Sequence, residues 1–263
     1  MSPLRTGSIA TVALAASLLL ARVHPFGDAR LLAAKSARAP TMEHSSVPPA
    51  VRDLLAAKCA DCHSAQTRSP IYGHFAPVSW LLERDIVEAR KAMNLSRWDA
   101  YSADEQATCR AKIVQEVRTN QMPPLQYRII HWNARTTSTD EKALMEWARG
   151  SFAPDSGAQA AGDGDPIRGQ ALFEKRCTGC HALAQSHEGP RLQGVYGRTT
   201  GAVPGFAYSS ALRKANVVWN DRSLERWLTD PDAFLPGNNM DFLLAKAQDR
   251  TDIIAYLKKS AGA

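Results

Sequence analysis

The sequence predicts an all-α fold of two small helical domains joined by a flexible linker. Apolar residues recur at helical spacing ahead of two similar cysteine motifs, at Val51, Leu54 and Leu55 and again at Gly169 and Phe173. No βαβ pattern is visible along the chain. A length of 263 residues suits one large domain or two small ones, and the repeated motif favours two.

The two cysteine motifs both read C-x-x-C-H, at 59–63 and at 177–181. This spacing is typical of c-type haem attachment, because two thiols form thioethers with the porphyrin and the next residue places an imidazole on the iron. A zinc site would need two more ligands beside each pair, and a dithiol redox motif would lie near a βαβ pattern. We therefore expect two covalently attached haem c groups. The attachment cysteines and histidine ligands are Cys59, Cys62, His63, Cys177, Cys180 and His181.

The N-terminus has the pattern of a targeting segment. Arg5 precedes the apolar run 9–20 (IATVALAASLLL), which is shorter than the roughly 20 residues of a comfortable membrane span. Residues 27–29 (GDA) offer a poor cleavage site, so 1–29 is either a signal peptide or an uncleaved signal anchor. Residues 30–47 are expected to form a tether. Because c-type haem is attached outside the cytoplasm, we expect a periplasmic protein, soluble or held to the membrane by its N-terminus.

Composition and charge divide the rest of the chain. A first haem domain is expected over 48–150 and a second over 165–263, separated by an Ala-, Gly-, Ser- and Asp-rich linker over 151–164. The formal net charge is +6, and the two expected domains carry only +2 and +3 of it. Nucleic-acid binding therefore has little support, whereas a modest basic patch could dock an acidic redox partner protein.

A sixth iron ligand for the first haem is suggested by the methionine of the sequence QMPP. Met122 precedes Pro123 and Pro124 in a stiff, non-helical loop that can present its sulfur at a small entropic cost. Met122 and Met240 each lie 60 residues beyond the second cysteine of their motif. The alternatives are ordinary packing for Met122 and ligation by His74, His131, Met93 or Met145.

The first half resembles the haem-binding domain family of exported bacterial proteins. The stretches CADCHS, APVSW, NLSRW and QMPPLQY carry the resemblance, which covers about 100 residues. It implies a small helical domain with one covalent haem, ligated by His63 and Met122. One departure is Ile71, where the family pattern leads us to expect Trp. The fifth cysteine, Cys109, is interpreted as a small buried apolar residue on a helix.

The second half should be closed by its two ends. Gly169, Phe173 and Cys177 share one helix face, and Gly169 has no side chain to hold another helix away. The expected partner is a terminal helix over 252–259, whose residues 253, 256 and 257 form an apolar face.

This half also resembles class I cytochrome c, especially its mitochondrial-like bacterial type. The stretches GPRLQGVYGR, GFAYSSAL, WLTDP, FLPGNNM and DIIAYLKK fall in the order of that family across 165–263. The resemblance implies His181 and Met240 as axial ligands and Pro190 as the residue whose carbonyl holds the histidine. It also implies roles for residues at the haem propionate (Arg198, Tyr208, Trp219 and Asn238), over the haem face (Phe242) and behind the sulfur (Trp227).

Two six-coordinate haems would leave no open position for a substrate. We therefore expect an exported dihaem electron carrier rather than an enzyme, passing single electrons between donor and acceptor proteins, with His/Met ligation raising the reduction potential. The alternative is a dihaem redox enzyme, peroxidase-like or a sulfur-compound dehydrogenase, with an open or displaceable ligand at the first haem. A third interpretation is a module that docks on a larger oxidase or dehydrogenase.

Overall fold

The computed structural model describes residues 3–31, 42, 47–150 and 162–262. Within them the chain is helical and forms no β-strand beyond a single bridge between Thr199 and Val218, so the all-α prediction is confirmed. The helices are α1 (Pro3–Leu20), α2 (Pro49–Lys58), α3 (Ala60–His63), α4 (Val78–Ala92), α5 (Ala103–Arg118), α6 (Leu125–Ile130), α7 (Ser138–Gly150), α8 (Pro166–Arg176), α9 (Ser210–Lys214), α10 (Asp221–Thr229), α11 (Pro231–Phe234) and α12 (Ala247–Ala261). Short 3₁₀ helices cover Ile71–His74, Leu95–Ala100 and Trp132–Ala134.

The chain divides into two compact units. Unit 1 comprises Met1–Ala100 and His131–Arg135, and unit 2 comprises Tyr101–Ile130 and Thr136–Ala263. Unit 1 contains the first C-x-x-C-H motif and unit 2 the second. Most of the predicted tether and linker falls on residues outside the described part of the chain.

In unit 1, the helix that leads into the first motif forms as predicted. Pro49 begins α2, where its fixed φ suits the first helical turn, and Val51 and Leu55 are buried on one face. The C-cap of α2 is Cys59, so the helix delivers the motif directly into the short helix α3. Leu95 and Trp98 contribute further fully buried side chains to this unit.

The segment around the end of α1 is part of the packed structure of unit 1. Ser17 exchanges two hydrogen bonds with Ala76, one from its hydroxyl at 2.7 Å and one to its carbonyl at 3.3 Å. The indole N–H of Trp80 donates to the carbonyl of Leu20 over 3.0 Å. Ala29 is buried against α4. In the described ranges, no helix has both the length and the apolar character needed to cross a bilayer.

Unit 2 is closed by the crossing of α8 and α12, as the sequence predicts. A Cβ built on Gly169 would lie 2.0 Å from the carbonyl oxygen of Asp252, so only glycine permits this approach. Phe173, Ile253 and Leu257 are buried in the core beside the crossing. The N-terminus of α8 is capped by the Asp165 carboxylate, which accepts from two backbone N–H groups.

Helix α5 also belongs to unit 2 and begins at a capping box. Ser102 accepts from the backbone N–H of Glu105, and the Glu105 carboxylate accepts from the N–H of Ser102. Helix α7 packs on α5 and buries Leu144 and Trp147. The guanidinium of Arg110 lies 5.1 Å from the centre of the Trp147 ring, a cation–π contact.

Candidate functional site

A cavity of about 820 Å³ in unit 2 brings the second motif and its predicted ligands together. Cys177, Cys180, His181 and Met240 all line it. The backbone N–H groups of Cys180 and His181 both donate to the carbonyl of Cys177, at 3.1 and 2.8 Å, which folds the motif into one tight turn. Two thiols, an imidazole and a thioether therefore face a space that is large enough for a porphyrin-sized group.

The imidazole of His181 is held in a fixed orientation. Its Nδ1–H donates to the carbonyl of Pro190 over 2.8 Å, which leaves Nε2 unprotonated and available to a metal. Burial lowers the pKa of His181, although this hydrogen bond acts in the opposite direction, so the ring is neutral. A Cβ on Gly189 would lie 2.2 Å from the imidazole Cε1, so the ring takes the space of that missing side chain.

The sulfur of Met240 is positioned by two neighbours. The indole N–H of Trp227 donates to the sulfur over 3.1 Å. The backbone N–H of Met240 donates to the amide oxygen of Asn238 over 2.6 Å. Asn238 is completely buried, and its NH₂ donates to the carboxylate of Asp232 and the carbonyl of Leu235. In the structure Asn238 therefore braces the methionine loop, and its contact with a propionate stays a prediction.

The same cavity is lined by Arg198, Tyr208 and Trp219, which are expected at the haem propionate. Phe242, which is expected over the haem face, lines it as well. The Arg198 guanidinium donates to the backbone carbonyls of Arg191 and Gln193, at 2.8 and 3.1 Å. Burial lowers the pKa of Arg198, so an anion nearby would be stabilised by this partly desolvated cation. These residues fit a group that carries carboxylates.

One wall of the cavity comes from α5 and the loop after it, which lie within the predicted first haem domain. Thr108, Gln115, Glu116 and Met122 are among the residues that line it. The side-chain amide of Gln115 donates to the carbonyl of Glu188 over 3.0 Å. Burial raises the pKa of the Glu116 carboxyl, with the negative charge of Glu188 acting in the same direction.

The Arg118 guanidinium makes an ion pair within unit 2 at the end of α5. One of its nitrogens lies 2.9 Å from both carboxylate oxygens of Asp241, and both side chains are largely buried. Asp241 directly follows the methionine expected to bind the second iron. The pair therefore restrains α5 and the methionine loop together, a restraint that no local sequence pattern indicates.

The first motif, in unit 1, has the same local construction as the second. The N–H groups of Cys62 and His63 both donate to the carbonyl of Cys59, at 3.2 and 2.9 Å. The Nδ1–H of His63 donates to the carbonyl of Met93 over 3.2 Å, and burial lowers the pKa of the ring. Met93 thus orients this histidine through its backbone carbonyl, whereas the sequence suggests Met93 only as an alternative iron ligand.

Burial raises the pKa of three of the four motif thiols. Burial raises the pKa of Cys62 and of Cys180 to about 11, and that of Cys177 to about 12. Nearby carboxylates, Asp61 beside Cys62 and Glu188 beside Cys180, act in the same direction. These three thiols are therefore protonated at neutral pH until they are converted to thioethers.

Met122 lies on the wall of the second cavity, with 39% of its surface exposed. It belongs to unit 2 whereas His63 belongs to unit 1, so its ligation of the first haem stays a prediction. Among the alternatives, His131 is hydrogen-bonded to the hydroxyl of Tyr72, and Met145 is half-buried on α7. Cys109 is half-buried on α5, and burial raises its pKa.

Comparison with known families follows the division of the sequence. The family model of the haem-binding domain matches residues 18–150, and that of cytochrome c matches residues 167–261. The chain belongs to both families and is a two-domain c-type cytochrome. The haem-binding match begins at residue 18, so it includes the segment that packs against α4 in unit 1.

The cytochrome's second domain has close relatives. Cytochrome c of Euglena viridis is 50% identical over 98 residues, which cover 36% of this chain and 96% of the relative. Cytochrome c of Chlamydomonas reinhardtii is 41% identical over 101 residues, 37% of this chain and 90% of the relative. Among solved structures, cytochrome cH from Methylobacterium extorquens is 38% identical and covers 36% of this chain and 99% of its own, with a TM-score of 0.35. The family membership implies haem c as cofactor and electron transfer as activity.

Proposed function

We propose that this cytochrome binds two covalent haem c groups and carries single electrons between redox partner proteins outside the cytoplasm. The observation that carries the proposal is the shared construction of the two motifs. In each, the histidine Nδ1–H donates to a backbone carbonyl, that of Met93 for His63 and that of Pro190 for His181. This bond fixes the tautomer that leaves Nε2 for iron. When bound, each haem iron supplies reversible one-electron chemistry between Fe(II) and Fe(III).

The second site favours electron transfer over substrate chemistry. His181 and Met240 both face the cavity and would occupy the two axial positions, which leaves none for a substrate. The soft thioether of Met240 favours Fe(II) and so raises the reduction potential. The buried indoles of Trp219 and Trp227, whose ring centres lie 5.3 Å apart, exclude water from this side of the cavity.

The first site leaves room for a second candidate function. We retain Met122 as the proposed sixth ligand, but this residue lines the second cavity. If neither Met122 nor any of the four alternative ligands named above binds the first iron, that iron has an open or displaceable position. The alternative is then a dihaem redox enzyme, peroxidase-like or a sulfur-compound dehydrogenase, with its reaction at the first haem.

The haem count tests the dihaem proposal directly. The pyridine haemochrome absorbance of the purified chain should give two haems per polypeptide. Cys59→Ser/Cys62→Ser and Cys177→Ser/Cys180→Ser should each retain one, because each removes one pair of attachment thiols. Cys109→Ser is the matched control and should retain both. A wild-type chain with a single haem would rule out the dihaem carrier.

The sixth ligand of the first haem is tested by Met122→Ala, with Met145→Ala as the matched control on α7. If Met122 is a ligand, its replacement should remove about half of the absorbance band of methionine-ligated ferric haem, and the control should leave the band intact. An unchanged band in Met122→Ala, together with a high-spin ferric signal in the wild type, would favour the enzyme over the carrier.

Export and partner choice complete the proposal. The apolar run 9–20 after Arg5 and the attachment chemistry both support a location outside the cytoplasm. The modest positive charge supports acidic redox proteins as partners and gives no support to nucleic acid. The rate of electron exchange with an acidic donor should fall as ionic strength rises, and a rate independent of salt would contradict electrostatic docking.

A further inference from the structure

A group of three metal-ligating side chains lies in unit 1 apart from the haem motif. His24 and Asp28 come from the turn after α1, and Glu83 comes from α4. One ligand atom from each lies within 4.8 Å of the other two. The imidazole Nδ1 of His24 is 2.7 Å from a carboxylate oxygen of Glu83 and 3.9 Å from one of Asp28.

The buried carboxylate of Glu83 is a second, independent observation that points to a cation at this group. Glu83 is only 1% exposed, and its Oε1 accepts from the Nδ1–H of His24. Its second oxygen, Oε2, is buried and has no hydrogen-bond partner among the described residues. A buried carboxylate oxygen without a partner is costly and rare in native proteins. A cation bound between His24 and this carboxylate would give the oxygen a partner.

We propose that His24, Asp28 and Glu83 bind a divalent transition-metal cation of the Zn²⁺ type. One imidazole nitrogen and two carboxylate oxygens are a common donor set for this ion, and three protein ligands leave a position for water. At usual zinc–ligand lengths, tetrahedral donors lie about 3.4 Å apart. The two separations from His24, 2.7 and 3.9 Å, lie on either side of that value. The third, between Asp28 and Glu83, is at most 4.8 Å, so shifts of no more than about 1.5 Å complete the site.

The site is supported on one side and open on the other. The Asp28 carboxylate accepts from the backbone N–H of Arg30 over 2.6 Å, which holds it toward His24. The Arg90 guanidinium donates to the carbonyl of Ala29 over 3.2 Å and restrains the same loop. The side chains of His24 and Asp28 are 30% and 58% exposed, so an ion can enter from solvent. The bound ion would join the segment after α1 to α4.

Calorimetric titration of the full-length, haem-loaded cytochrome with Zn²⁺ after EDTA treatment tests the site. We expect one strong Zn²⁺ site per chain, with the ion on Nδ1 of His24 and the imidazole proton moved to Nε2, so binding releases no proton from the neutral ring. His24→Ala and Asp28→Asn should each weaken binding at least tenfold. Asp99→Asn, which makes the same change at an exposed carboxylate of unit 1, should leave the affinity unchanged. Asp28 is exposed, so its variant tests the site without disturbing the core.

Three results would overturn the proposal. The first is Zn²⁺ affinity that is unchanged in both His24→Ala and Asp28→Asn, since the ion would then bind elsewhere. The second is Ca²⁺ binding the site more tightly than Zn²⁺, which would indicate a different class of ion. The third is an intact mass showing that the chain purified after export begins beyond residue 28, because two of the three ligands would be lost.

Discussion

The crossing of α8 and α12 gives the sharpest stability prediction, through Gly169→Ala. The new Cβ would lie 2.0 Å from the carbonyl oxygen and 2.6 Å from the carbonyl carbon of Asp252, and 2.9 Å from the Cβ of Tyr256. The nearest of these are backbone atoms, so they cannot rotate away as a flexible side chain would. The helices must separate by about 1 Å or more to restore ordinary van der Waals contact.

The size of the stability loss depends on the core contacts that weaken when α8 and α12 move apart. Phe173, Ile253 and Leu257 are buried beside the crossing and would lose close contacts. Overpacking a core typically costs about 1–3 kcal/mol, and clashes with backbone lie at the upper end. The better helix propensity of alanine returns about 1 kcal/mol at most. We therefore expect a net loss of about 2–3 kcal/mol in the free energy of unfolding of unit 2.

Guanidinium unfolding measures this loss. In the Cys59→Ser/Cys62→Ser background, the remaining haem absorbance reports on the second site alone. With an m-value of about 4 kcal/mol/M, the midpoint should fall by about 0.5–0.8 M. Gly150→Ala is the control, because its Cβ would meet nothing within 4 Å, and it should leave the midpoint unchanged or slightly higher. A loss below 1 kcal/mol for the crossing variant would refute the close-approach argument.

Three further predictions concern the second domain. Gly189→Ala should displace His181 from the iron, because the new Cβ would overlap its ring, and a high-spin ferric absorbance would show it; an unchanged low-spin spectrum would contradict the overlap. Burial acts to raise the pKa of Asp252. Hydrogen bonds to its carboxylate, chiefly from Arg168 on α8, outweigh this effect and hold the pKa below its ordinary value. The stability that this carboxylate contributes is therefore present above about pH 4 and is lost as the pH falls through its folded-state pKa. Asp252→Asn should lower the urea midpoint at pH 7 but not near pH 2. Equal effects at the two pH values would contradict this argument. Trp227→Phe removes the N–H group that donates to the sulfur of Met240, a hydrogen bond of about 0.5–1.5 kcal/mol. A redox titration should therefore show the reduction potential of the second haem lowered by about 20–60 mV. An unchanged or higher potential would contradict the role of this hydrogen bond.

Much of the fold could be predicted because its signals are local. The spacing of Gly169 and Phe173 marks one helix face, and a glycine on that face permits a close crossing. Ser102 and Glu105 form a capping box three residues apart, which depends only on helix geometry. Each C-x-x-C-H motif has the spacing that its two cysteines and its histidine need to reach a single haem. Each of these features needs no knowledge of distant residues.

The features of the structure that the sequence does not predict depend on backbone atoms or on contacts between residues far apart in the chain. The carbonyl of Met93 orients His63, and any residue type supplies a carbonyl, so the sequence has no signal for it. His24 is hydrogen-bonded to Glu83, which lies 59 residues further along the chain. His24 also lies within the segment that the sequence predicts to be a targeting peptide. The face of α5 that lines the second cavity carries polar residues such as Gln115, which resemble a solvated surface.

The two proposed haem sites should differ in the surroundings of their methionine ligands. In the second site, Trp227 donates to the sulfur of Met240. For Met122, the hydrogen bond described in the structure involves its backbone N–H, which donates to the carbonyl of Glu116 over 3.2 Å. A donor at the sulfur withdraws electron density, which disfavours Fe(III) and raises the potential. If Met122 binds the first iron without such a donor, the first haem should have the lower potential.

A redox titration of the two cysteine-pair variants compares the potentials one haem at a time. Cys177→Ser/Cys180→Ser retains the first haem and should titrate about 20–60 mV below Cys59→Ser/Cys62→Ser, which retains the second, since a donor to sulfur is worth about 0.5–1.5 kcal/mol. The lower potential would make the first haem the donor within the chain and the second haem the acceptor. A first haem at the higher potential would reverse that direction and show that hydrogen bonding to sulfur does not set the difference.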